Sequence, residues 1–100
     1  MAESVPEVDP VIHPMPRLSM CSVLFAGPQW VEFSVVQEMT GLGASMVSKH
    51  SRVLEEGGYI EVRKGAVGRR PRTWFSLTGY GAERFQNHIA ALTQLAAGTQ

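Results

Sequence analysis

Residues 41–77 constrain the fold of this chain more than any other stretch, because three backbone patterns follow one another there. A helical spacing of apolar residues runs from Ala44 to Glu56 and ends at the pair Gly57-Gly58. Residues 59–64 then alternate between apolar and polar as a β-strand does, a loop rich in glycine, arginine and proline follows, and alternation returns over residues 72–77. The stretch therefore predicts a helix followed by a β-hairpin.

Positive charge is concentrated in the same stretch, although the formal net charge of the 100 residues is zero. Residues 41–77 carry seven Lys or Arg and three Glu, a net charge of +4, and the remainder carries −4. This asymmetry indicates one surface for an anionic partner, while the opposite face keeps the chain soluble.

The residues before this stretch predict a tail, two helices and a short extended segment. Residues 1–12 are acidic and contain two prolines, so we expect a flexible tail there and a folded domain over residues 13–97. A first helix is expected over residues 16–26, and its core-facing positions are Leu18, Cys21, Leu24 and Phe25. Residues 30–33 are expected to be extended, and a second helix over residues 34–40 should bury Val36 and Met39.

The later elements have apolar positions of their own. In the helix over residues 44–56 the inner stripe is Val47, Ser51 and Leu54. In the hairpin, Ile60 and Val62 should point inward. Thr78 is expected to cap a last helix, whose apolar stripe is Ala82, Phe85, Ile89, Leu92 and Ala96.

Together these elements predict an α+β, mostly α-helical domain with a three-helix core, a β-hairpin wing and a C-terminal dimerisation helix, the layout of a winged helix-turn-helix. Four segments carry a resemblance to a family: IHPMPRL, MVSKHSRVLEEGGYIEV, GRRPRTWFSLT and LTGYGAERF. On these motifs the chain resembles the single-domain winged-helix transcriptional regulators related to the MarR and ArsR groups. The resemblance implies a dimeric prokaryotic transcription factor with its third helix in the major groove.

Two positions depart from that family, which usually has a leucine in place of Ser51 and another apolar residue in place of Thr40. Both should face the core. Their hydroxyls are expected to donate to the helix carbonyl one turn back.

The candidate DNA-binding residues lie on the third helix and on the hairpin. Short side chains allow close approach to base edges, Lys49 or Arg52 can read guanine, and arginines at a hairpin tip suit phosphate and narrow minor grooves. Met46 could contact a thymine methyl or pack against the protein, and His50 could be packed or face phosphate. The predicted set is Ser45, Met46, Ser48, Lys49, Arg52, Lys64, Arg69, Arg70 and Arg72.

A homodimer is expected because a chain of this length buries a limited share of its surface alone. The predicted interface residues are Phe85, Ile89, Leu92 and Leu95, with packing of Phe85 and Ile89 inside the monomer as the alternative. The expected partner is double-stranded DNA carrying a pseudo-palindromic operator, with no cofactor or metal, and any effector remains unidentified.

The sequence also bears on other functions. The sequence contains no Ser/His/Asp set, paired carboxylates or phosphate-binding glycine motif, which favours a protein that is not an enzyme. No apolar run approaches the length of a membrane span, so we expect a cytoplasmic protein. The single Cys21 is expected to be a buried structural thiol. Two alternatives remain: a winged helix that contacts an acidic protein surface, and a small-molecule sensor with a cavity near Thr40 and Ser51.

Overall fold

A computed structural model describes residues 7–98 of the chain. Its elements are α1 (Met15–Ala26), β1 (Val31–Glu32), α2 (Phe33–Thr40), α3 (Ala44–Glu56), β2 (Ile60–Val67), β3 (Arg70–Leu77) and α4 (Gly79–Ala97). The mostly helical winged-helix fold predicted from the sequence is confirmed. No helix within residues 7–98 has both the length and the apolar character needed to cross a membrane.

The three strands form one antiparallel sheet in the order β1-β3-β2. The strand β1 pairs only with the base of β3, through Val31 with Phe75 and Glu32 with Trp74. The hairpin of β2 and β3 pairs along its whole length, from Ile60 with Leu77 to Val67 with Arg70.

The expected loop between the hairpin strands was wrong, because the strands continue to a two-residue turn at Gly68-Arg69. Gly68 has a φ of +63°, the left-handed value that such tight turns need and that glycine adopts without strain. Pro71 lies inside β3, but it pairs with Ala66 beyond the end of β1, where β3 has an open edge and the missing N–H costs little.

The core lies between α1, α2, α3 and the inner face of the sheet. Val36 and Val47 are fully buried, and the partly buried Phe33 packs on Phe75 with ring centroids 5.8 Å apart. Cys21 is buried as expected, and burial, followed by the charge of Asp9, raises the pKa of its thiol to about 12. The two hydroxyls expected to bond within their helices do so: Thr40 donates to the Val36 carbonyl at 2.6 Å and Ser51 to the Ser48 carbonyl at 3.0 Å.

Two predicted core positions were wrong. Phe25 is 45% exposed, because the buried face of α1 is set by Met20, Cys21 and Leu24 and leaves the Phe25 ring at its rim. Met39 is 67% exposed, because α2 turns Val36 toward the core and places Met39 on the outward strip with Val35, one helical turn away.

The predicted apolar stripe of α4 was also partly wrong. The buried residues of this helix are Gly81, Phe85, His88 and Ala91, whereas Ile89 and Ala96 are exposed. The helix is rotated because Gly81 packs directly against the backbone of Tyr59 and His88 bonds to the N-terminal segment.

The expected flexible tail was wrong for residues 7–12, and residues 1–6 lie outside the described residues. Asp9 is 1% exposed and Ile12 is fully buried in the core. One oxygen of the Asp9 carboxylate accepts from the N–H groups of Val11 at 2.8 Å and Ile12 at 3.3 Å. The other accepts from the Tyr59 hydroxyl at 2.8 Å and from Arg84 Nε at 2.7 Å. These bonds fix the segment that precedes α1 against β2 and α4.

Two histidines extend this set of contacts, which we call the Asp9 network. The backbone N–H of Asp9 donates to His88 Nδ1 at 2.9 Å, and His88 Nε2 lies 3.5 Å from His13 Nδ1. Arg17 Nε donates to the Val11 carbonyl, and its Nη1 donates to His50 Nδ1 at 3.0 Å. The network therefore joins the N-terminal segment to both α4 and α3. Of the two roles considered for His50, packing inside the protein is the one that the structure shows.

The protonation states in the network follow from burial and from the hydrogen bonds. Burial alone would raise the pKa of Asp9, but the bonds from Tyr59, Arg84 and the two N–H groups outweigh it and hold that pKa below its ordinary value. Burial and the neighbouring His13 lower the pKa of His88, although Asp9 opposes this. Burial, Arg17 and Lys49 lower the pKa of His50.

We expect stability to fall as the pH drops below neutral. A histidine with a lowered pKa takes up its proton more readily in the unfolded chain, so its contribution is complete above about pH 6.5 and declines below that value. Chemical denaturation should therefore give a smaller free energy of unfolding at pH 5 than at pH 7.5. His88→Asn keeps a hydrogen-bond acceptor but cannot titrate, and it should show a weaker decline; an unchanged decline would contradict the role given to His88.

Candidate nucleic-acid interface

The helix α3 presents one polar face to solvent. Gly41 closes the turn after α2 with a φ of +76°, and α3 then starts at Ala44. Val47, Ser51 and Leu54 are buried as predicted, and His50 joins them. The five predicted DNA-binding residues of this helix are left exposed: Ser45, Met46, Ser48, Lys49 and Arg52.

The N-terminal end of α3 is electrostatically suited to an anion. Its N-cap residue is Gly43, no side chain caps the first N–H groups, and the first turn contains no acidic residue. The positive end of the helix dipole is therefore not neutralised locally. Glu55 and Glu56 lie at the opposite end of the helix, where they are exposed.

We define the wing as β2, β3 and the turn Gly68-Arg69. The strand register shows which side chains lie on each of its two faces. Lys64 pairs with Thr73 and shares the inner face with Val62 and Phe75. Arg70 and Arg72 lie on the outer face, opposite Val67 and Gly65 and in line with Trp74 and Arg63. The side chains of Lys64, Arg69 and Arg70 are exposed.

A cleft of about 170 Å³ separates α3 from the inner face of the wing. Arg52 of α3 and Lys64 of β2 both line it, so the structure brings cations from two elements to one space. Three hydroxyl groups and the carboxylate of Glu55 line the same cleft. The hydroxyls belong to Ser48, Ser51 and Thr73, and the remaining lining residues are Phe33, Val62 and Phe75. The two cations outnumber the one carboxylate, so the cleft as a whole favours an anionic partner.

Arg72 differs from the other predicted DNA-binding residues because a carboxylate of the same chain holds it. Its Nη1 donates to Glu32 Oε2 at 2.7 Å, and its Nε is buried without a hydrogen-bond partner among residues 7–98. No local sequence pattern indicates this pair, because Glu32 is 40 residues away and reaches Arg72 only through the short strand β1.

Arg63 contributes to a second outer-face contact that the sequence did not predict. Its guanidinium carbon lies 4.2 Å from the ring centroid of Trp30, within the range of a cation–π interaction. Trp74 lines the same hollow. These residues therefore fix the outer face near the base of the wing.

The predicted dimer residues do not all share one environment. Phe85 is 7% exposed and packs against Phe25 with ring centroids 5.0 Å apart, so the intramonomer alternative applies to it. Ile89 is 38% exposed, Leu95 is 69% exposed and Leu92 is half-buried. These three residues follow one another at three-residue spacing along the second half of α4, and we call them the apolar strip of α4.

Comparison with known proteins agrees with this geometry. A family model described as a winged helix DNA-binding domain matches residues 17–96. The chain is similar to an uncharacterized protein from Methanocaldococcus jannaschii, with 27% identity over 85 residues that cover 85% of this chain and 91% of the relative. Among solved structures it is similar to a transcriptional regulator homologue from Pyrococcus horikoshii OT3, with a TM-score of 0.73 and 26% identity over 88% of this chain and 86% of the other.

The sequence-based prediction of a winged helix-turn-helix regulator is confirmed by these matches, whereas the narrower relation to the MarR and ArsR groups stays a prediction. The family match begins at residue 17, so Asp9 and His13 of the Asp9 network lie before it. The chain belongs to the winged helix DNA-binding domain family.

Proposed function

We propose that this protein is a homodimeric, sequence-specific transcriptional regulator that places the helix over residues 44–57 in the DNA major groove and the wing residues 63–72 on the backbone or minor groove. One observation carries the proposal. Arg52 of α3 and Lys64 of the wing line one cleft. Together with three further exposed cations on these two elements they form no ion pair within residues 7–98; the five are Lys49, Arg52, Lys64, Arg69 and Arg70. Unpaired cations on two adjacent elements suit the phosphates on either side of a groove.

The dimensions of α3 support its assignment to the major groove. Thirteen helical residues extend roughly 20 Å at 1.5 Å each, and a major groove about 12 Å wide admits a helix. The N-terminal half of α3 carries the short side chains Ser45 and Ser48, which allow its backbone to approach the bases. Glu55 and Glu56 would repel phosphate, so the C-terminal end should point away from the DNA.

Selection of bound duplexes from a random pool tests this function and defines the operator in one experiment. A dimer with two copies of α3 should enrich an inverted repeat whose half-sites are about one helical turn, or 34 Å, apart. Enrichment of single half-sites would contradict the dimeric arrangement, and the absence of any enriched sequence would contradict sequence-specific binding.

We expect the apolar strip of α4 to form the dimer interface. At micromolar concentration the wild-type protein should sediment as a dimer, and the double variant Ile89→Glu/Leu95→Glu should sediment as a monomer, because burying two carboxylates in an apolar contact is strongly unfavourable. The matched control is Asn87→Glu/Gln94→Glu, which adds the same charge at two exposed positions on another face of α4 and should remain dimeric. A wild-type monomer would overturn the dimer, and dimerisation of both variants would move the interface elsewhere.

We propose no catalytic activity for the chain and infer that it acts in the cytoplasm, where a prokaryotic operator is accessible. The winged helix DNA-binding domain family supports a role in binding rather than in chemistry.

A further inference from the structure

The pair of Arg72 and Glu32, located where β1 ends against β3, satisfies only part of the hydrogen-bonding capacity of the arginine. One guanidinium nitrogen donates to the Glu32 carboxylate at 2.7 Å, whereas Nε is buried and has no partner among residues 7–98. Water reaches both side chains, which are 34% and 29% exposed, and ion pairs accessible to water contribute little net stability. Arg72 is therefore held by a contact that a stronger anion could replace.

The position of Arg72 brings it close to the exposed end of the wing. It lies on the outer face two residues from Arg70, a separation of roughly 7 Å along a strand. Its cross-strand partner is Gly65, which has no side chain, and the Trp74 ring lies over Gly65 beside Arg72. A DNA backbone that contacts Arg70 would therefore pass within reach of the Arg72 guanidinium.

We propose that Arg72 exchanges partners when the wing meets DNA: its guanidinium leaves the Glu32 carboxylate and binds a backbone phosphate. A phosphate can accept from Nε and one terminal nitrogen together, which gives Nε a partner that residues 7–98 do not supply. The Glu32 carboxylate then competes with the DNA phosphate for the Arg72 guanidinium, and this competition weakens the binding of every duplex. This inference rests on the proposed DNA-binding function.

Glu32→Gln tests the exchange, and Glu61→Gln is its matched control. Glu61 is an exposed carboxylate on the same outer face that forms no ion pair within residues 7–98, so both variants change the net charge equally. We expect Glu32→Gln to bind a fixed duplex roughly three- to tenfold more tightly than Glu61→Gln in fluorescence anisotropy at low salt. Equal or weaker binding by Glu32→Gln would overturn the proposal and make the pair a brace for the wing.

Arg72→Ala completes the test, because the gain from Glu32→Gln requires the arginine. Arg72→Ala should reduce the log–log salt slope by about 0.9 for each wing that loses a phosphate contact, and adding Glu32→Gln to it should give no further gain. An unchanged slope in Arg72→Ala would overturn the exchange. If the slope of Arg72→Ala is unchanged while wild-type binding depends steeply on salt, the partner exchange is wrong but the proposed DNA-binding function stands. If the wild-type protein binds no duplex, the proposed function is wrong as well. Thermal unfolding of each variant establishes that it is folded.

Discussion

Replacing Gly81 with alanine should strongly destabilise the fold, although alanine is the better helix former. A Cβ added at this position would lie 2.1 Å from the Tyr59 carbonyl oxygen and 2.9 Å from its carbonyl carbon, which are backbone atoms that cannot rotate away. The start of α4 cannot retreat, because the Thr78 N–H donates to the Tyr59 carbonyl at 3.0 Å and the Gly81 N–H donates to Thr78 Oγ1 at 2.9 Å. We expect a loss of more than about 3 kcal/mol, at or beyond the upper end of overpacking costs, in a domain whose total stability is about 5–15 kcal/mol.

Gly79→Ala is the matched control for this prediction, since it lies in the same turn of α4 and its added Cβ would meet no heavy atom within 4 Å. It should leave the free energy of unfolding unchanged or raise it by a few tenths of a kcal/mol, because alanine restricts the unfolded chain. Denaturant unfolding followed by circular dichroism compares the two variants. Equal stability would show that α4 does not lie against Tyr59 as described.

Asp9→Ala should cost about 3–5 kcal/mol, the range found when one partner of a buried ion pair is removed. The change leaves Arg84 Nε, the Tyr59 hydroxyl and two backbone N–H groups without their acceptor. Arg84 is about one-third exposed and can recover some hydration, so the lower half of the range is the better expectation. Urea unfolding at neutral pH measures the loss.

Glu7→Ala is the control, because Glu7 is an exposed acid in the same segment and should leave stability within about 0.5 kcal/mol of the wild type. The effect of Asp9→Ala should also depend on pH in a defined direction. The pKa of Asp9 is below its ordinary value of 3.8, so its contribution is complete above that pH and is lost as the pH falls through the lower, folded-state value. The wild type and Asp9→Ala should therefore converge in stability at strongly acidic pH. A difference that persisted there would contradict the ionic role of Asp9.

The sequence predicted the parts of the fold that local patterns encode. The helical spacing over Ala44 to Glu56, the glycines that end it and the alternation of Ile60 with Val62 depend on neighbours a few residues away, and the observed α3 and β2 follow them. The exposure of Lys49 and Arg52 follows from the same periodicity. The end of the wing was misjudged because Gly65 and Pro71 usually interrupt strands, whereas here the turn at Gly68-Arg69 and the open edge of β3 accommodate both.

The sequence could not predict features that depend on distant partners. Asp9 bonds to residues 50 to 79 positions away. Its neighbours in the sequence, which include two prolines, therefore do not indicate that its side chain is buried. The rotation of α4 depends on the same network and on the contact of Gly81 with Tyr59. The ion pair of Arg72 with Glu32 could not be predicted for the same reason, since Glu32 approaches Arg72 only through the pairing of β1 with β3.

The salt dependence of duplex binding tests the proposed DNA contact of α3 and the wing most directly. If each subunit of a dimer neutralises about three phosphates, the logarithm of the binding constant should fall with the logarithm of salt concentration with a slope of about −5. Arg69→Ala/Arg70→Ala removes about two contacts per subunit and should flatten the slope to roughly −2. Gln86→Glu/Asn87→Asp makes the same change in net charge on α4 and should leave the slope near that of the wild type. A wild-type slope near zero, or a double-alanine variant that binds as the wild type does, would contradict the account.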